Sequence, residues 1–585
     1  MNLLDKRSLG LGLGAAVLAC AVLPNVLSAY WIYLAISAMV GAVVMQSFGV
    51  IVGRAGVMSL CQMSFAAIGA WVVLRLNVAG APGGLLVWLV LGGLAAVPVG
   101  VAIGLPALRI RGVNLAVVTF GFAVSTDIVL NADQFPGAED LTMLERPEPF
   151  TGDAGYFVFT VIVFTVIAVA LAALARTRLG LSWYELRHSE RAAAAHGVSV
   201  ARSKLAAFAI SAFIAGVGGG LLAGQLSLVV PSNFAMGQSL ALFAVAIMIG
   251  PHHPEGAVLG GVFGAVMATI MEKAHLPQDF GGVLFGAGAL LALRGGMSQT
   301  DLTRTRKRER AARKLLEDAA GPDDALPAPP APPVRAVPAA APEPAGERRP
   351  CLDVRGLTVR FGEVVALDNV DLAVPEGAVV GLIGPNGAGK STFIAAVTGF
   401  VAGYGGTVEL DGRPLDRLGP APRAGRGLRR TFQTTAIAPE LTQYEYLTMG
   451  AGRRLPRAEA DELLEFFGCP PGEAPVSIVD AGTRRLLDVA AAIAARPRAA
   501  LLDEPAAGQS AAESLRFGAR LTEVPERFGV SILLVEHDME LVQATCELVT
   551  VLDFGHVIAS GPTRDVMDDP AVRAAYLGAA DVPAS

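Results

Sequence analysis

Residues 384 to 392 read Gly384-Pro385-Asn386-Gly387-Ala388-Gly389-Lys390-Ser391-Thr392, after the apolar run Val379-Val380-Gly381-Leu382-Ile383 and before Phe393-Ile394-Ala395-Ala396-Val397. That order predicts a strand, a glycine loop and a helix. In this setting the G-x-x-x-x-G-K-[ST] spacing has a specific chemistry. The glycines let backbone N–H groups from Gly384 to Thr392 close around a chain of phosphates, and Lys390 reaches the terminal ones. The Ser391 hydroxyl is placed to hold Mg2+, and the helix N-terminus adds its partial positive charge. The stretch therefore predicts a site for a nucleoside triphosphate with its magnesium ion.

What that site drives depends on the rest of the chain. The 585 residues carry a net charge of −6, and a mean hydropathy of +0.52 is too high for a wholly soluble protein. The apolar residues concentrate between 8 and 294 in runs near the ~20 residues that cross a bilayer. From 351 to 585 apolar and charged segments alternate, as in a soluble α/β domain. Without a concentrated basic surface outside the membrane flanks, nucleic acid is not an expected partner. Cys20, Cys61, Cys351, Cys469 and Cys546 form no C-x-x-C or paired framework, so neither disulfides nor a metal site is indicated.

Lys6 and Arg7 before the run Leu9 to Leu27 fit either a cleaved leader or a first transmembrane helix, and a second span starting at once at Tyr30 favours the helix. Further spans are expected near 30–53, 57–78, 84–106, 113–131, 154–175, 204–226, 237–250, 257–272 and 281–294, eight to ten in all. Loop charge orients them. Residues 133–153 hold six acids (Asp133, Glu139, Asp140, Glu145, Glu148 and Asp153) against Arg146, whereas 176–204 hold Arg176, Arg178, Arg187, Arg191, Arg202 and Lys204. Lys and Arg stay in the cytoplasm, so ten crossings put the amino end and Arg294 on the side where ATP is.

Within the basic loop, Tyr184 to Gly197 reads as a short amphipathic helix. Such charge more commonly marks a solvated loop helix, but its place in the longest internal cytoplasmic loop of a membrane protein with its own ATPase suggests a docking helix that passes motion to the spans. Residues 1–297 are thus read as a transmembrane permease domain, and 298–350 as a basic segment followed by a linker. The basic segment holds Arg304, Arg306, Lys307, Arg308, Arg310, Arg313 and Lys314, which suit anionic lipid headgroups. The Ala-Pro repeats after Gly321 cannot form a core and, at ~3.1 Å per residue, reach several tens of Å. Residues 351–585 make the α/β P-loop domain.

In that domain Val354 to Val374 reads as a two-strand sheet turning at Phe361-Gly362. A lone aromatic is usually core, but at a glycine turn Phe361 is placed to stack on adenine. The strand Arg498 to Leu502 ends in Asp503-Glu504-Pro505, where Asp503 can hold Mg2+ through water and Glu504 can polarise the attacking water. His537, after the strand Ser531 to Val535, is a candidate to sense the γ-phosphate.

Together with the phosphate loop, Thr431-Phe432-Gln433, Leu502-Asp503-Glu504-Pro505, Glu536-His537-Asp538-Met539 and Ala575-Tyr576-Leu577-Gly578 resemble the ATP-binding subunit of Liv-type (branched-chain amino acid) ABC importers. The resemblance covers 351–580. It implies that Gln433 contacts Mg2+ and couples to the permease, that Glu504 is the catalytic base and that His537 is the switch histidine. Ser59-Leu60-Cys61-Gln62, Phe65, Ile68-Gly69-Ala70, Leu108 to Gly112 and Leu115 to Phe122 are similar to the matching permease subunit, over about 50–294.

Some residues depart from that pattern. The family's Leu-Ser-Gly-Gly-Gln signature, which closes on a second subunit's ATP, falls on Val479-Asp480-Ala481-Gly482-Thr483. Asp480 then puts a carboxylate where a serine would meet the γ-phosphate, a like-charge contact. The stretch from Gln433 to Val479 is shorter than the family's helical subdomain, Phe135-Pro136-Gly137 replaces Thr-Gly-Gly, and Pro251 follows Gly250. The expected protein is a fused permease and ATPase in the bacterial cytoplasmic membrane, with ATP and Mg2+ bound. Its expected partners are a second permease subunit, a second and intact ATPase subunit in a heterodimer, and an extracytoplasmic solute-binding protein. The alternative is an ATP-binding membrane regulator. An exporter fits less well, because no long cytoplasmic helices lie between the spans.

Overall fold

The computed structural model describes residues 3–577 except 111, 133, 139, 276–278, 296–297, 301, 305, 307–309, 311–347 and 435–436. The Ala-Pro linker, most of the basic segment and Gly578 lie outside the described residues. The chain forms two compact units: Met1–Arg187 with Val200–Arg308, and His188–Ser199 with Glu309–Ser585.

The first unit is helical: α1 (Leu3–Val26), α2 (Ala29–Phe48), α3 (Gln62–Val78), α4 (Gly84–Gly104), α5 (Val113–Ala132), α6 (Asp153–Ala175), α7 (Arg178–His188, its last residue in the second unit), α9 (Val200–Leu226), α10 (Met236–Ile249), α11 (Pro254–Lys273) and α12 (Asp279–Gly295). Among the described residues, seven helical stretches are long and apolar enough to cross a membrane, and Gly10–Val26, Gln62–Val78 and Gly281–Ala292 are shorter apolar helices. Ala29–Arg54 is 72% buried whereas Val113–Ala132 is 17% buried, so the first is central and the second peripheral.

Small residues set the closest helix pairs. A Cβ added at Gly219 of α9 would lie 1.8 Å from the Ala66 carbonyl oxygen of α3, so those backbones touch only because glycine is there. The span expected from residue 57 does not start there. A π-helical turn (Gly49–Arg54) ends α2, and 56–61 are non-helical until α3 begins at Gln62. Inside a bilayer unpaired backbone is costly. Here Thr119 Oγ1 accepts from Leu60 N at 3.1 Å, and buried Gln62 bridges Ser47 and Ser59 at 3.2 Å each.

In the second unit the helix expected over 184–197 is broken. Ser189 is extended (φ −155°, ψ 110°), and its side chain accepts from Ala192 N to cap a separate helix, α8 (Glu190–Ala195). A serine that can satisfy a helix's free N–H groups starts a new helix rather than continuing the old one. Two sheets follow. Strands β1 (Pro350–Phe361) and β2 (Val364–Pro375) are antiparallel and turn at Phe361 as expected. With β4 (Gly405–Leu410) and β5 (Arg413–Pro414) they form a four-stranded sheet.

The core sheet has six strands in the order β10-β9-β3-β8-β7-β6: β3 (Val379–Ile383), β6 (Leu428–Arg430), β7 (Ala499–Asp503), β8 (Ser531–Val535), β9 (Leu548–Asp553) and β10 (His556–Pro562). Strands β3, β7 and β8 are buried at every position. This is why they read as continuous apolar runs: a parallel strand covered on both faces has no polar side to show. Between Gln433 and Val479 the helices Gln443–Ala451 and Arg457–Phe467 pack beside Ala481–Ala494.

Candidate nucleotide site

Strand β3 ends at the glycine loop, and the helix Lys390–Val397 starts directly after it. Gly384, Gly387 and Gly389 have φ of 152°, 87° and 105°. At Gly384 an added Cβ would also sit 2.2 Å from the Leu552 carbonyl oxygen, so no other residue fits the start of the loop. Lys390 bends back and donates to the carbonyls of Gly384 and Pro385. Burial holds its ammonium below the ordinary lysine value, against the pull of Glu504 and Asp503.

Parallel pairing of β3, β8 and β7 brings the ends of all three strands to the same edge. There a cleft of about 370 Å³ is lined by Gly384, Pro385, Asn386, Gln433, Glu504 and His537. These are residues from four separate sequence motifs. Such a crevice at the carboxyl ends of parallel strands is where open α/β sheets bind ligands.

Glu504 takes a left-handed conformation (φ 49°), uncommon for a residue with a side chain, and its amide donates to the Val535 carbonyl at 2.9 Å. Gln433 Nε2 donates to Glu504 Oε2 at 2.6 Å. Next to it, Asp503 is buried and accepts from Arg430 Nη2 at 3.0 Å. Burial raises the Asp503 carboxyl above the ordinary aspartate value, with Arg430 opposing the shift. His537 is exposed, and the buried Glu536 beneath it accepts from the Ala506 and His537 amides. Ser391, Gln433 and Asp503 offer oxygens, the hard donors that Mg2+ takes.

Phe361 is 53% exposed at the β1 turn and is not among the cleft-lining residues. Asp480 has a structural task besides its place in the signature segment. It caps the helix Ala481–Ala494, accepting from the Thr483 amide at 2.9 Å and the Thr483 hydroxyl at 2.6 Å. Burial disfavours its charge, but these bonds outweigh burial and hold its carboxyl below the ordinary value.

Sequence reasoning missed Arg430, whose only signal is two consecutive arginines before Thr431-Phe432-Gln433. The same unit holds α8 beside the cassette residues. Arg429 Nη1 donates to the Ala195 carbonyl at 3.2 Å, and His188 Nε2 lies 3.0 Å from Glu440 Oε2.

A phosphate loop, a strand-end Asp-Glu pair and a glutamine loop in one chain with membrane-length helices define a nucleotide-driven membrane transporter. Family comparison makes this specific. Residues 30–293 match the permease component of branched-chain amino acid transport systems, 367–507 match ABC transporters, and 556–582 match the branched-chain amino acid ATP-binding cassette transporters.

The ATP-binding protein BraF of Pseudomonas aeruginosa, a high-affinity branched-chain amino acid transport protein, is 35% identical over 40% of this chain and 99% of its own length. LivG of Escherichia coli is 33% identical over the same shares. A ribose import ATP-binding protein of Rubrobacter xylanophilus is 35% identical over 36% of this chain and 44% of its own. A solved ATP-binding cassette of an ABC transporter in its ADP conformation is 27% identical at a TM-score of 0.36, over 39% of this chain and 99% of that one. The chain belongs to the branched-chain amino acid family of ABC transporters and carries permease and ATP-binding components in one polypeptide. It is a membrane protein whose cassette binds and hydrolyses ATP to drive transport, with partner transporter subunits and a substrate-binding protein.

Proposed function

We propose that this protein is the fused permease and ATPase of an importer for branched-chain amino acids or a related small polar solute in a bacterial cytoplasmic membrane, with the cassette in the cytoplasm. The observation that carries the reading is the cleft in which Gly384, Gln433, Glu504 and His537 converge, in the same polypeptide as the apolar helices. The loop from Gly384 to Thr392 holds the phosphates and Phe361 stacks on adenine. Ser391, Gln433 and Asp503 hold Mg2+, which when bound screens the phosphate charge. Glu504 accepts the proton of the attacking water and His537 contacts the γ-phosphate.

The signature segment Val479 to Thr483 presents Asp480 to the opposite subunit's nucleotide. A homodimer would place that charge in both sites, whereas a heterodimer with an intact ATPase subunit confines it to one. The working complex therefore contains a second permease subunit, a second ATPase subunit and an extracytoplasmic binding protein. Its test is to purify the complex, identify the co-purifying solute and measure which loaded binding protein stimulates ATP hydrolysis. The capped, charged Asp480 supports a second reading, a membrane regulator that hydrolyses ATP poorly. A regulator shows no solute-stimulated hydrolysis in proteoliposomes.

A further inference from the structure

Strand β6 is three residues long and lies at the edge of the core sheet, paired with β7 through Leu428 to Ala499, Arg429 to Ala500 and Arg430 to Leu501. Neighbouring residues of a strand face opposite ways. Here the alternation separates two arginines, both nearly buried. Arg430 reaches Asp503 at 3.0 Å, and Arg429 reaches the Ala195 carbonyl at the end of α8 at 3.2 Å.

We propose that Arg429 and Arg430 are paired positioning residues that transmit the state of the nucleotide cleft to the loop helix α8. Arg430 acts on Asp503, and Arg429 acts on the Ala195 carbonyl. This rests on the importer reading and adds to it the residues that carry the coupling.

Three features make the link stiff. The Arg430 guanidinium lies 4.5 Å from the Phe432 ring centre and 5.7 Å from that of Phe400, and it donates to Thr398 Oγ1 at 3.4 Å. Held on both sides, it cannot answer a change at Asp503 by swinging alone. On the other side, Gly197 has φ of 80°, and an added Cβ would come 3.4 Å from Arg429 Nη1, so the chain leaving α8 rests against the guanidinium. Nucleotide phosphates entering the cleft bring negative charge near Arg430, which then divides its attraction between them and Asp503. Because the two arginines share one peptide unit, displacement of the first moves the second.

Helix α8 has other attachments to the cassette. His196 stacks edge-on against Tyr446 at 5.8 Å, and Tyr446 donates to Asp488 at 2.6 Å. Tyr446 and Asp488 lie on the helices Gln443–Ala451 and Ala481–Ala494 rather than on the strand that carries the two arginines, so they serve as the control.

The test uses the complete complex in lipid nanodiscs, with hydrogen exchange of the 190–197 amides measured with and without ATP. In the wild type, ATP changes that exchange. In Arg429→Met the change disappears and solute moved per ATP hydrolysed falls about fivefold or more, the scale of an ordinary coupling energy. KM for ATP stays unmoved, and Arg429→Lys restores part of both losses. Tyr446→Phe keeps the ATP response. The proposal is overturned if wild-type exchange at 190–197 ignores ATP, or if Arg429→Met keeps both the response and the transport ratio. Should the wild-type complex show no solute-stimulated hydrolysis at all, the importer reading fails instead, and the exchange experiment still decides the link.

Discussion

Gln433 Nε2 and Glu504 Oε2 are 2.6 Å apart, so the glutamine loop and the strand-end glutamate are joined by a direct hydrogen bond across the cleft. A carboxylate that gives one oxygen to a glutamine amide keeps the other for water, as the base role proposed for Glu504 requires. The bond also ties any movement of the loop after Phe432 to the position of the carboxylate.

Replacing Glu504 with Gln removes the proposed proton acceptor and leaves the shape of the cleft. ATP turnover of the complex is expected to fall by about 10²–10⁴-fold with nucleotide affinity retained, as measured by steady-state hydrolysis and equilibrium binding. If hydrolysis persists and depends on the partner's base instead, the two sites of the proposed heterodimer are assigned the wrong way round.

Lys390 spends its ammonium on two loop carbonyls, Gly384 and Pro385, at the wall of the cleft. Lys390→Ala is expected to weaken ATP binding at least tenfold, the loss of about 1.4 kcal/mol from a charge-assisted contact to phosphate. The fold should survive, because Gly384, Gly387 and Gly389 set the course of the loop by their own backbone angles. Titration with a fluorescent ATP analogue, alongside thermal unfolding, separates the two effects.

Asp480 has a capping role and a charge, and two substitutions part them. Asp480→Ala should loosen the helix Ala481–Ala494 by about 1 kcal/mol, read from amide exchange in its first turn, whereas Asp480→Ser should keep most of the cap. The pH dependence has a definite sign. A carboxyl held below its ordinary 3.8 contributes stability that is present above that value and lost as pH falls through its folded value. The wild-type helix should therefore lose protection below pH 3.8 more steeply than Asp480→Ala. If the charge faces a partner's ATP, Asp480→Ser also raises turnover at that partner's site.

In the membrane unit, Gly219→Ala forces a methyl to within 1.8 Å of the Ala66 carbonyl unless α3 and α9 move apart. Expected is a loss of thermal stability in detergent, whereas Gly121→Ala, with open space around it, should be neutral. Equal melting points for the two variants would contradict the close helix approach.

Much of this protein is legible in the order of its residues alone. The apolar runs of the first half mark its helices, because a segment in lipid must satisfy its own backbone and be apolar over its length. Gly384 to Thr392 marks the phosphate loop, because that backbone needs glycine at fixed places. Local chemistry of this kind is written within a few residues.

What needed the tertiary structure are the relations between distant residues. No spacing rule tells that Arg430 meets Asp503, 73 positions on, or that Arg429 meets Ala195, 234 positions back. The first pair exists because β6 lies beside β7 at the sheet edge, and the second because α8 lies against the residue that precedes Arg430 on the same strand. The break at Ser189 and the capping by Asp480 are local, each a bond to a residue three positions on, but several local bonds were open to those side chains and the structure decided which formed. Motif residues came from sequence because each loop must hold its own shape. Their convergence on one cleft came from strand order, which is decided by packing across the whole sheet.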